Sequence, residues 1–364
     1  MAASNLIAIP SMFAAATASF QPKPLQTANN FDLIRLLAAL QVMLKHALVH
    51  LGFAGSWTEL LGIFPGVPVF FFISGYLIFQ SHSNSRSLTQ FAINRLLRIY
   101  PALIGCFVVS IVAVVSTGYL SWSVLASRPF LVWAAAQLSV MQIYNAEFMR
   151  GFGVGSINGS LWTVAVELQF YLLTPLLAWM TLNRRWAWAL ILAVGAFANV
   201  AMSYWTQGFG AKLFSVSFPP WLYMFVLGAW LSTRSDWQQR LLGFHPFTLL
   251  AAYAAIGVLG YWLGYRVTGN EINPMSYLLL AILVFRLAYT RPTLSERLLG
   301  RNDISYGVYI YHMPVINLLV FYGLTGTQWY VIAASIATLA LALASWRWVE
   351  RPALRLKKLA LRNY

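Results

Sequence analysis

Two ionisable side chains in the first apolar segment have the types and the spacing for acid–base chemistry inside a membrane. Arg35 and His46 stand eleven residues apart in the run 31–52. At about 100° per residue this spacing amounts to three helical turns plus about 20°, so both side chains project from one helix face, about 16 Å apart along the axis. Because histidine accepts a proton readily near neutral pH, we predict that His46 is a general base that deprotonates a hydroxyl group.

The same helix face carries two further titratable groups. Asp32 and His50 lie within about 60° of the stripe that Arg35 and His46 define. Asn30 is a predicted N-cap, and Asp32 falls in the first turn, where a carboxylate suits the helix dipole. A span-end arginine that reaches towards the surface is the competing interpretation of Arg35, and packing is the competing interpretation of His46. For His50 we favour packing.

A carboxylate also lies deep in a later apolar run. The segment 158–175 places Glu167 about two turns inside a predicted span, where a carboxylate must be protonated, paired or open to water. Thr163 and Tyr171 stand one helical turn to either side of it, on the same face, and are candidates to bond it. Glu167 is therefore a candidate site residue, and structural pairing with a buried cation is its main competing interpretation.

Two arginines and a small polar residue complete the candidates in the first half of the chain. Arg95 and Arg98 are i, i+3 neighbours at a predicted cytoplasmic edge, where their planar forks could hold phosphate groups. Positive charge that orients the chain in the membrane explains this pair equally well. Ser74, beside Gly75 in an otherwise bulky run, allows close helix packing or the approach of a ligand.

A second histidine appears late in the chain. The segment 305–315 places His312 about two turns from the cytoplasmic end of a predicted span, with Tyr309 as its i−3 neighbour. Both are candidate site residues. The five histidines and the single cysteine, Cys106, form no ligand set that is visible from spacing, so no metal site is predicted. Cys106 lies in an apolar run and is predicted to be buried and inert.

The composition places these residues in a multispanning membrane protein. Of the 364 residues, 60% are apolar and only 9% are charged, whereas soluble proteins carry about 25% charged residues. Apolar runs of about twenty residues recur along the chain. The net charge of +15 includes no basic cluster that alternates with aromatics in a soluble module, so nucleic acid is not an expected partner.

We predict an all-α membrane bundle of about ten transmembrane helices plus one short re-entrant or interfacial helix. Eleven apolar runs are visible, but the run 131–145 would cover only about 22 Å of a hydrocarbon core about 30 Å thick. With ten spans and a cytoplasmic N-terminus, sixteen of the 24 lysines and arginines fall inside, four outside and four within spans. The predicted parts are a flexible cytoplasmic tail over 1–30, a transmembrane domain over 31–350 and a basic cytoplasmic tail over 351–364.

Several segments, in this order, resemble the membrane-bound acyltransferase family 3, whose members move acyl groups onto extracytoplasmic or surface glycans. The resemblance covers roughly residues 30–355. It rests on FD with Arg35 and His46 in the first run, FFFISGYLIF, RLLRIYP, SLWTVAVELQFY with Glu167, SYGVYIYH with His312, and WVERPALR. In its compact length the chain is similar to exopolysaccharide O-acetyltransferases, including those of the xanthan type.

The resemblance implies an acyl-CoA-dependent O-acetyltransferase of the bacterial inner membrane. It makes His46 the catalytic histidine with Arg35 as its basic partner, Glu167 an acidic site residue, and Arg95 and Arg98 the pair expected near the nucleotide end of acyl-CoA. Acetyl-CoA is then a co-substrate and not a permanently bound cofactor. The expected partners are a lipid-linked or polymeric saccharide acceptor, membrane lipids and other glycan-assembly proteins. Because no hydrolase-like domain of the kind that several relatives carry is visible, we expect the membrane domain to reach the acceptor itself or to hand the acyl group to another protein.

Three alternatives stay open. In the first, His46 or a serine carries the acyl group covalently across the membrane. In the second, the chain is a transporter or flippase of a lipid-linked saccharide, which needs buried charges but has no use for CoA. In the third, it is a structural subunit of a glycan-assembly complex, which predicts that His46 and Glu167 tolerate substitution.

Overall fold

The part of the chain that the computed structural model describes, residues 28–264, 269–300 and 302–360, consists of helices joined by turns and loops. Residues 1–27 and 361–364 of the two predicted tails lie outside the described residues. The first helices are α1 (Phe31–His50), α2 (Gly66–Ser83), α3 (Leu88–Ser116), α4 (Arg128–Gln137), α5 (Trp162–Leu182), α6 (Arg185–Tyr204), α7 (Gly208–Ser215) and α8 (Leu222–Ser232). They are followed by α9 (Ser235–Leu242), α10 (Pro246–Trp262), α11 (Pro274–Ala288), α12 (Leu294–Leu299), α13 (Ser305–Phe321), α14 (Gln328–Ser345), a π-helical turn (Trp346–Glu350) and α15 (Arg351–Ala360). The predicted all-α fold class is confirmed.

Many of these helices are long and apolar enough to cross a membrane. Within the described residues there are six such spans, or eight if each of two helix pairs that bend by 44° and 89° at a short break forms one span. A total of ten would also require the shorter apolar helices α11 and α13 to cross. The chain is therefore a multi-pass helical membrane protein, and the count of about ten spans stays a prediction.

Local sequence signals set where several helices begin. Ser87 caps α3, because its hydroxyl oxygen accepts the backbone N–H of Gln90 at 3.1 Å. Asn273 caps α11 in the same way, accepting the N–H of Ser276 at 3.0 Å, and Pro274 follows in the first turn, where its missing N–H costs nothing. Each cap replaces a hydrogen bond that the first turn of a helix lacks, so the apolar run starts its helix at a defined residue.

The short helix α4 overlaps the run 131–145, for which a short re-entrant or interfacial helix is predicted, only at 131–137. Its ten residues rise about 15 Å, half the thickness of a hydrocarbon core of about 30 Å. The chain then turns at 138–143, and Val140 lines the same groove as Tyr100 of α3 and Leu168 of α5. The turn after α4 therefore borders this groove together with α3 and α5.

Helices α1 and α13 lie side by side and run in the same direction. Arg35, near the start of α1, pairs with Asp303 just before α13, and His46, near the end of α1, contacts His312 within α13. The partners are more than 260 positions apart in the sequence. Since the two contacts follow one another in the same order along both helices, the chain directions are parallel.

Two glycines let α2 and α8 approach closely. A Cβ atom at Gly75 would lie 1.9 Å from the carbonyl oxygen of Phe225, and one at Gly228 would lie 2.1 Å from that of Phe72. No side chain fits at either position, so the two helix backbones are in contact. Close packing, one of the two roles predicted for the Ser74–Gly75 pair, is confirmed for Gly75.

The start of α1 is tied to the last third of the chain. Asn30 occupies the N-cap position of α1, but its side chain does not cap the helix. Its amide nitrogen instead donates to the carbonyl oxygens of Thr290 and Arg291 at 2.7 and 3.2 Å, and its amide oxygen accepts the N–H of Ser295 at 2.8 Å. The predicted side-chain cap is therefore wrong, because partners distant in sequence take up the amide.

We expect Gly75→Ala to destabilise the protein, because the added methyl group collides with the backbone of α8. Overpacking of this kind costs roughly 1–3 kcal/mol. Gly257→Ala in α10 is the matched control, since a Cβ there meets nothing within 4 Å. The melting temperature of the purified protein in detergent measures both. If Gly75→Ala melts no lower than Gly257→Ala, the close approach of α2 and α8 is wrong.

Candidate active site

An aspartate that the sequence patterns did not indicate joins two arginines at one end of the bundle. Asp303 lies in the turn before α13 and is buried. Its Oδ2 accepts from Nη2 of Arg35 at 2.8 Å and from Nη2 of Arg98, and its Oδ1 accepts the backbone N–H and the hydroxyl of Ser305 at 3.2 and 2.5 Å. Arg35 also pairs with Asp32, one turn earlier in α1. This arginine–aspartate cluster connects α1, α3 and α13.

The two guanidinium groups fix the ionisation of the shared aspartate. Burial alone would raise the pKa of Asp303, but Arg35, Arg98 and the bonds from Ser305 outweigh burial and hold this pKa well below its ordinary value of 3.8. Each guanidinium has five N–H donors, and the Nε of Arg35 has no partner within the described chain. The cluster therefore keeps guanidinium N–H groups that make no hydrogen bond within the described chain.

Two imidazoles meet further along the α1–α13 pair. Nδ1 of His46 lies 2.8 Å from Nε2 of His312, and the rings stack with their centroids 5.1 Å apart. His312 is fully buried, whereas His46 is partly exposed. The ring of His50 follows one turn later, with its centroid 5.8 Å from that of His46. The structure thus brings together the two histidines that the sequence singled out separately.

Two hydroxyl groups hold Glu167. Its Oε1 accepts the hydroxyl of Tyr171 at 2.7 Å and that of Ser74 at 3.3 Å. The bond from Tyr171 is as predicted, but Thr163 bonds the hydroxyl of Tyr309 instead, at 2.7 Å. No ion pair to Glu167 is found among residues 28–264, 269–300 and 302–360. In that part of the chain its partners are hydroxyl groups and not a buried cation.

A cavity connects the arginine–aspartate cluster with Glu167. It encloses about 610 Å³ of empty space, its open mouth included. The predicted site residues that line it are Arg35, Ser74, Arg98, Glu167, Tyr171 and Tyr309. Neither histidine of the pair lines it, but the ring of Tyr309 does, and its centroid lies 5.8 Å from that of His312. Tyr309 is therefore the side chain between the cavity and the histidine pair.

Arg95 diverges from Arg98 in spite of the i, i+3 spacing. Its guanidinium lies over the ring of Tyr171, 5.8 Å from the ring centroid, and donates to the hydroxyl of Ser81 at 3.2 Å. It lines a separate groove, which Tyr171 also borders. The two arginine forks therefore face different spaces, and Arg98 alone of the pair lines the cavity beside Glu167.

Two further residues with buried polar atoms lie in segments that carry the family resemblance but are not among the predicted site residues. Tyr306 lines the cavity, and its buried hydroxyl has no partner in the described part of the chain. Glu350, in the π-helical turn, is 2% exposed and accepts the hydroxyl of Ser345 at 3.0 Å. A signal for Asp303 was available, because the whole chain has only nine acidic residues and this one directly precedes an apolar helix.

The remaining site predictions concern cysteine and metal ligands. Cys106 is buried, as predicted, and its thiol lies 3.2 Å from the carbonyl oxygen of Ile310. Among the residues that the structure describes, no three histidine, cysteine or acidic side chains converge so that they could hold a metal ion. The candidate active site therefore consists of the arginine–aspartate cluster, the histidine pair and the cavity with Glu167.

The site combines a proton acceptor, guanidinium donors and a hydroxyl-rich cavity inside a helical membrane bundle. This combination is typical of a membrane-embedded transferase. Comparison with known families makes this class specific. The chain belongs to acyltransferase family 3, because the family model described as "Acyltransferase domain" matches residues 29–347. The match runs from just before α1 into the π-helical turn, so it includes every group of the candidate active site. The resemblance seen in the sequence is confirmed.

Three curated proteins show what the chain is similar to. Nodulation protein 10 of Rhizobium leguminosarum bv. viciae is 35% identical over 350 residues, which cover 90% of this chain and 94% of the relative. An O-acetyl transferase of Shigella phage Sf6 is 28% identical, with coverages of 89% and 95%. The peptidoglycan O-acetyltransferase OatA of Listeria monocytogenes is 26% identical, with coverages of 89% and 55%. No solved structure matches significantly. The chain is a membrane acyltransferase, and the xanthan-type assignment stays a prediction.

We expect Asp303→Asn to destabilise the protein by up to about 3–5 kcal/mol, because it removes the buried carboxylate that Arg35 and Arg98 share and, within the described chain, leaves Arg98 without an ion-pair partner. Asp32→Asn is the matched control: the side chain of Asp32 is 46% exposed and pairs with Arg35 alone, so its loss should cost at most about 1 kcal/mol. Melting temperatures of the purified variants compare the two.

The pH dependence of the stability difference between the wild type and Asp303→Asn is a second readout. Folding lowers the pKa of Asp303, so the stability that its charge contributes is present above about pH 4 and is lost as the pH falls further. The gap between wild type and Asp303→Asn should therefore narrow below about pH 4. Equal stability of Asp303→Asn and Asp32→Asn at neutral pH would contradict the shared, buried carboxylate.

Proposed function

We propose that the protein is an integral-membrane O-acetyltransferase that moves an acetyl group from acetyl-CoA to a hydroxyl group of a surface glycan or exopolysaccharide sugar. The observation that carries the proposal is the contact between His46 and His312 next to a cavity lined by guanidinium and carboxylate groups. Membership of the family supports it, as do the names of two relatives, an O-acetyl transferase and a peptidoglycan O-acetyltransferase.

In this proposal the arginine–aspartate cluster binds the phosphates of the donor. Arg35 and Arg98 both line the cavity, and the planar guanidinium fork suits bidentate recognition of phosphate. Asp303 already holds both side chains in place, so little conformational entropy is lost when the donor binds. Arg95, which the resemblance also assigns to acyl-CoA, faces the groove on the other side of Tyr171, so we propose no phosphate contact for it.

His46 is the general base of the proposed reaction, and His312 is its positioning residue. We assign the Nδ1–H of His46 as the donor to Nε2 of His312, which leaves a free lone pair on Nε2 of His46. This nitrogen takes the proton of the sugar hydroxyl while the hydroxyl oxygen attacks the thioester carbonyl carbon. The C–S bond breaks and the proton passes to the departing sulfur. The products are the acetyl ester and the CoA thiol, and His46 is neutral again.

Glu167 is proposed to orient the acceptor sugar in the cavity. Its carboxylate already has two hydroxyl donors, Tyr171 and Ser74, and retains lone pairs for sugar hydroxyl groups. Tyr309 borders the same cavity and contacts His312. Because neither histidine lines the cavity, the proposed reaction requires the sugar hydroxyl to extend past the ring of Tyr309 to reach Nε2 of His46.

The proposed setting is the bacterial inner membrane, with both chain ends in the cytoplasm. The unequal distribution of lysine and arginine among the loops supports this orientation. It places Arg35, Arg98 and Asp303 at the cytoplasmic end, where CoA thioesters are available. The acceptor is proposed to be a lipid-linked or polymeric saccharide, and other glycan-assembly proteins are proposed as partners.

We expect His46→Ala to lower acetyl transfer by about 10²–10⁴, the usual contribution of a general base. The acetyl content of the surface glycan is measured by NMR in a deletion strain that produces each variant at equal protein level. His245→Ala, at an exposed position outside the site, is the control and should restore acetylation fully. Full acetylation by His46→Ala at normal protein level would show the mechanism to be wrong.

We expect acetyl-CoA to raise the melting temperature of the purified protein, and Arg98→Ala to abolish this shift. At a hundredfold excess over the dissociation constant, a ligand stabilises the folded state by about 2.7 kcal/mol. Each variant is compared with its own ligand-free form, so a lower starting stability of Arg98→Ala does not obscure the result. Arg184→Ala, at an exposed arginine, should keep the shift. A wild-type protein that acetyl-CoA does not stabilise would instead favour a transporter or flippase.

A further inference from the structure

A groove on the outside of the bundle plays no part in the proposed reaction. It lies between α3 and α5 and encloses about 860 Å³ of empty space, its open side included. Its wall is mostly apolar, with Leu96, Val140, Leu168 and Leu172 among the lining residues. The side chain of Leu172 is 74% exposed and that of Leu96 48% exposed. In a membrane protein such a surface faces lipid hydrocarbon.

One cationic side chain, that of Arg95, lies among the apolar residues that line the groove. Arg95 lines the groove, lies over the ring of Tyr171 and donates to Ser81. Its Nε is buried without a partner, and within the described ranges no carboxylate lies at salt-bridge distance from it. A guanidinium beside hydrocarbon without a counter-ion is costly. A negatively charged group at this end of the groove would remove that cost.

Along α3, apolar residues line the groove on both sides of Arg95, from Leu88 to Tyr100. Arg95 reaches towards Ser81, two residues before the end of α2, whereas the apolar wall continues along α3 as far as Tyr100. From Arg95 to Tyr100 the helix rises about 8 Å, about half of one leaflet of a core about 30 Å thick. A lipid whose phosphate lies on Arg95 and whose acyl chain points inwards along this wall matches the polarity of the groove.

We propose that the groove binds an anionic phospholipid from the leaflet at that end of the bundle, with its phosphate on Arg95 and one acyl chain along α3 and α5. Tyr171 connects this lipid to the active site, because its ring borders both the groove and the cavity while its hydroxyl holds Glu167. A phosphate on Arg95 fixes the guanidinium over that ring. The bound lipid is thus a positioning element for Glu167, and its binding does not depend on the reaction proposed above.

Native mass spectrometry of the purified full chain, equilibrated with equal amounts of phosphatidylglycerol and phosphatidylcholine, tests the proposal. The wild type should retain phosphatidylglycerol about five-fold better, the factor that one cation contributes to attracting an anionic lipid. Arg95→Gln should abolish this preference and Arg95→Lys should keep it. Leu172→Trp, which fills the groove, should lower retention of both lipids. Leu176→Trp, one turn further along α5 at a position 50% exposed and outside the groove wall, is the control and should not.

Two results would overturn the lipid site. One is equal retention of the two lipids by the wild type, or a preference that survives Arg95→Gln. The other is a lipid-linked saccharide or an acyl thioester, in place of a phospholipid, that co-purifies with the wild type and is lost from Leu172→Trp, which would assign the groove to a substrate. Only variants that elute as a single folded species are compared. Because retention is measured without acetyl transfer, failure of the lipid site is distinguishable from failure of the proposed function.

Discussion

The register of α13 against α1 determines where the groups that can carry chemistry lie. A carboxylate buried between two guanidinium groups is stable only when its remaining lone pairs are also satisfied, and Ser305 supplies those bonds to Asp303. The cluster therefore favours one position of the α13 start beside Arg35. Sliding α13 by one residue would rotate its side chains by about 100° and turn His312 away from His46. The ion pairs at one end thus set the imidazole contact at the other.

The partner of His46 is a second imidazole and not a carboxylate. A carboxylate would stabilise the imidazolium that forms when the base takes up a proton. A neutral imidazole orients the ring and selects the nitrogen that carries the proton, while stabilising the charged form less. In the proposed reaction this is an advantage, because His46 must pass its proton on to the departing sulfur within the same catalytic cycle.

Relationships within one helix could be predicted from the sequence, because helical geometry fixes them. The shared face of Asp32, Arg35 and His46 and the bond between Tyr171 and Glu167 follow from residue spacing. The same spacing suggested that Arg95 and Arg98 act together. Their long side chains instead bind different partners. The tertiary fold determines these partners, as it does those of Thr163 and Asn30.

Contacts between distant segments could not be derived from spacing. Asp303 is separated from Arg35 by 268 positions and from Arg98 by 205, and no periodicity connects them. Hydropathy predicted a helical membrane protein and a short apolar segment at 131–145, which overlaps α4 at 131–137. It could not decide the number of spans, because two pairs of helices are bent and two apolar helices are shorter than a full span.

A double-mutant cycle between His46 and His312 tests most directly whether the two imidazoles form one unit. The measured quantity is the rate of acetyl transfer from acetyl-CoA to a soluble sugar acceptor by the purified protein. If His312 acts by orienting His46, His312→Gln lowers the rate in the wild-type background and has no further effect once His46 is replaced by alanine. If His312→Gln lowers the rate by the same factor whether His46 is present or replaced by alanine, the two imidazoles do not act as one unit. His312 would then have a separate, structural role.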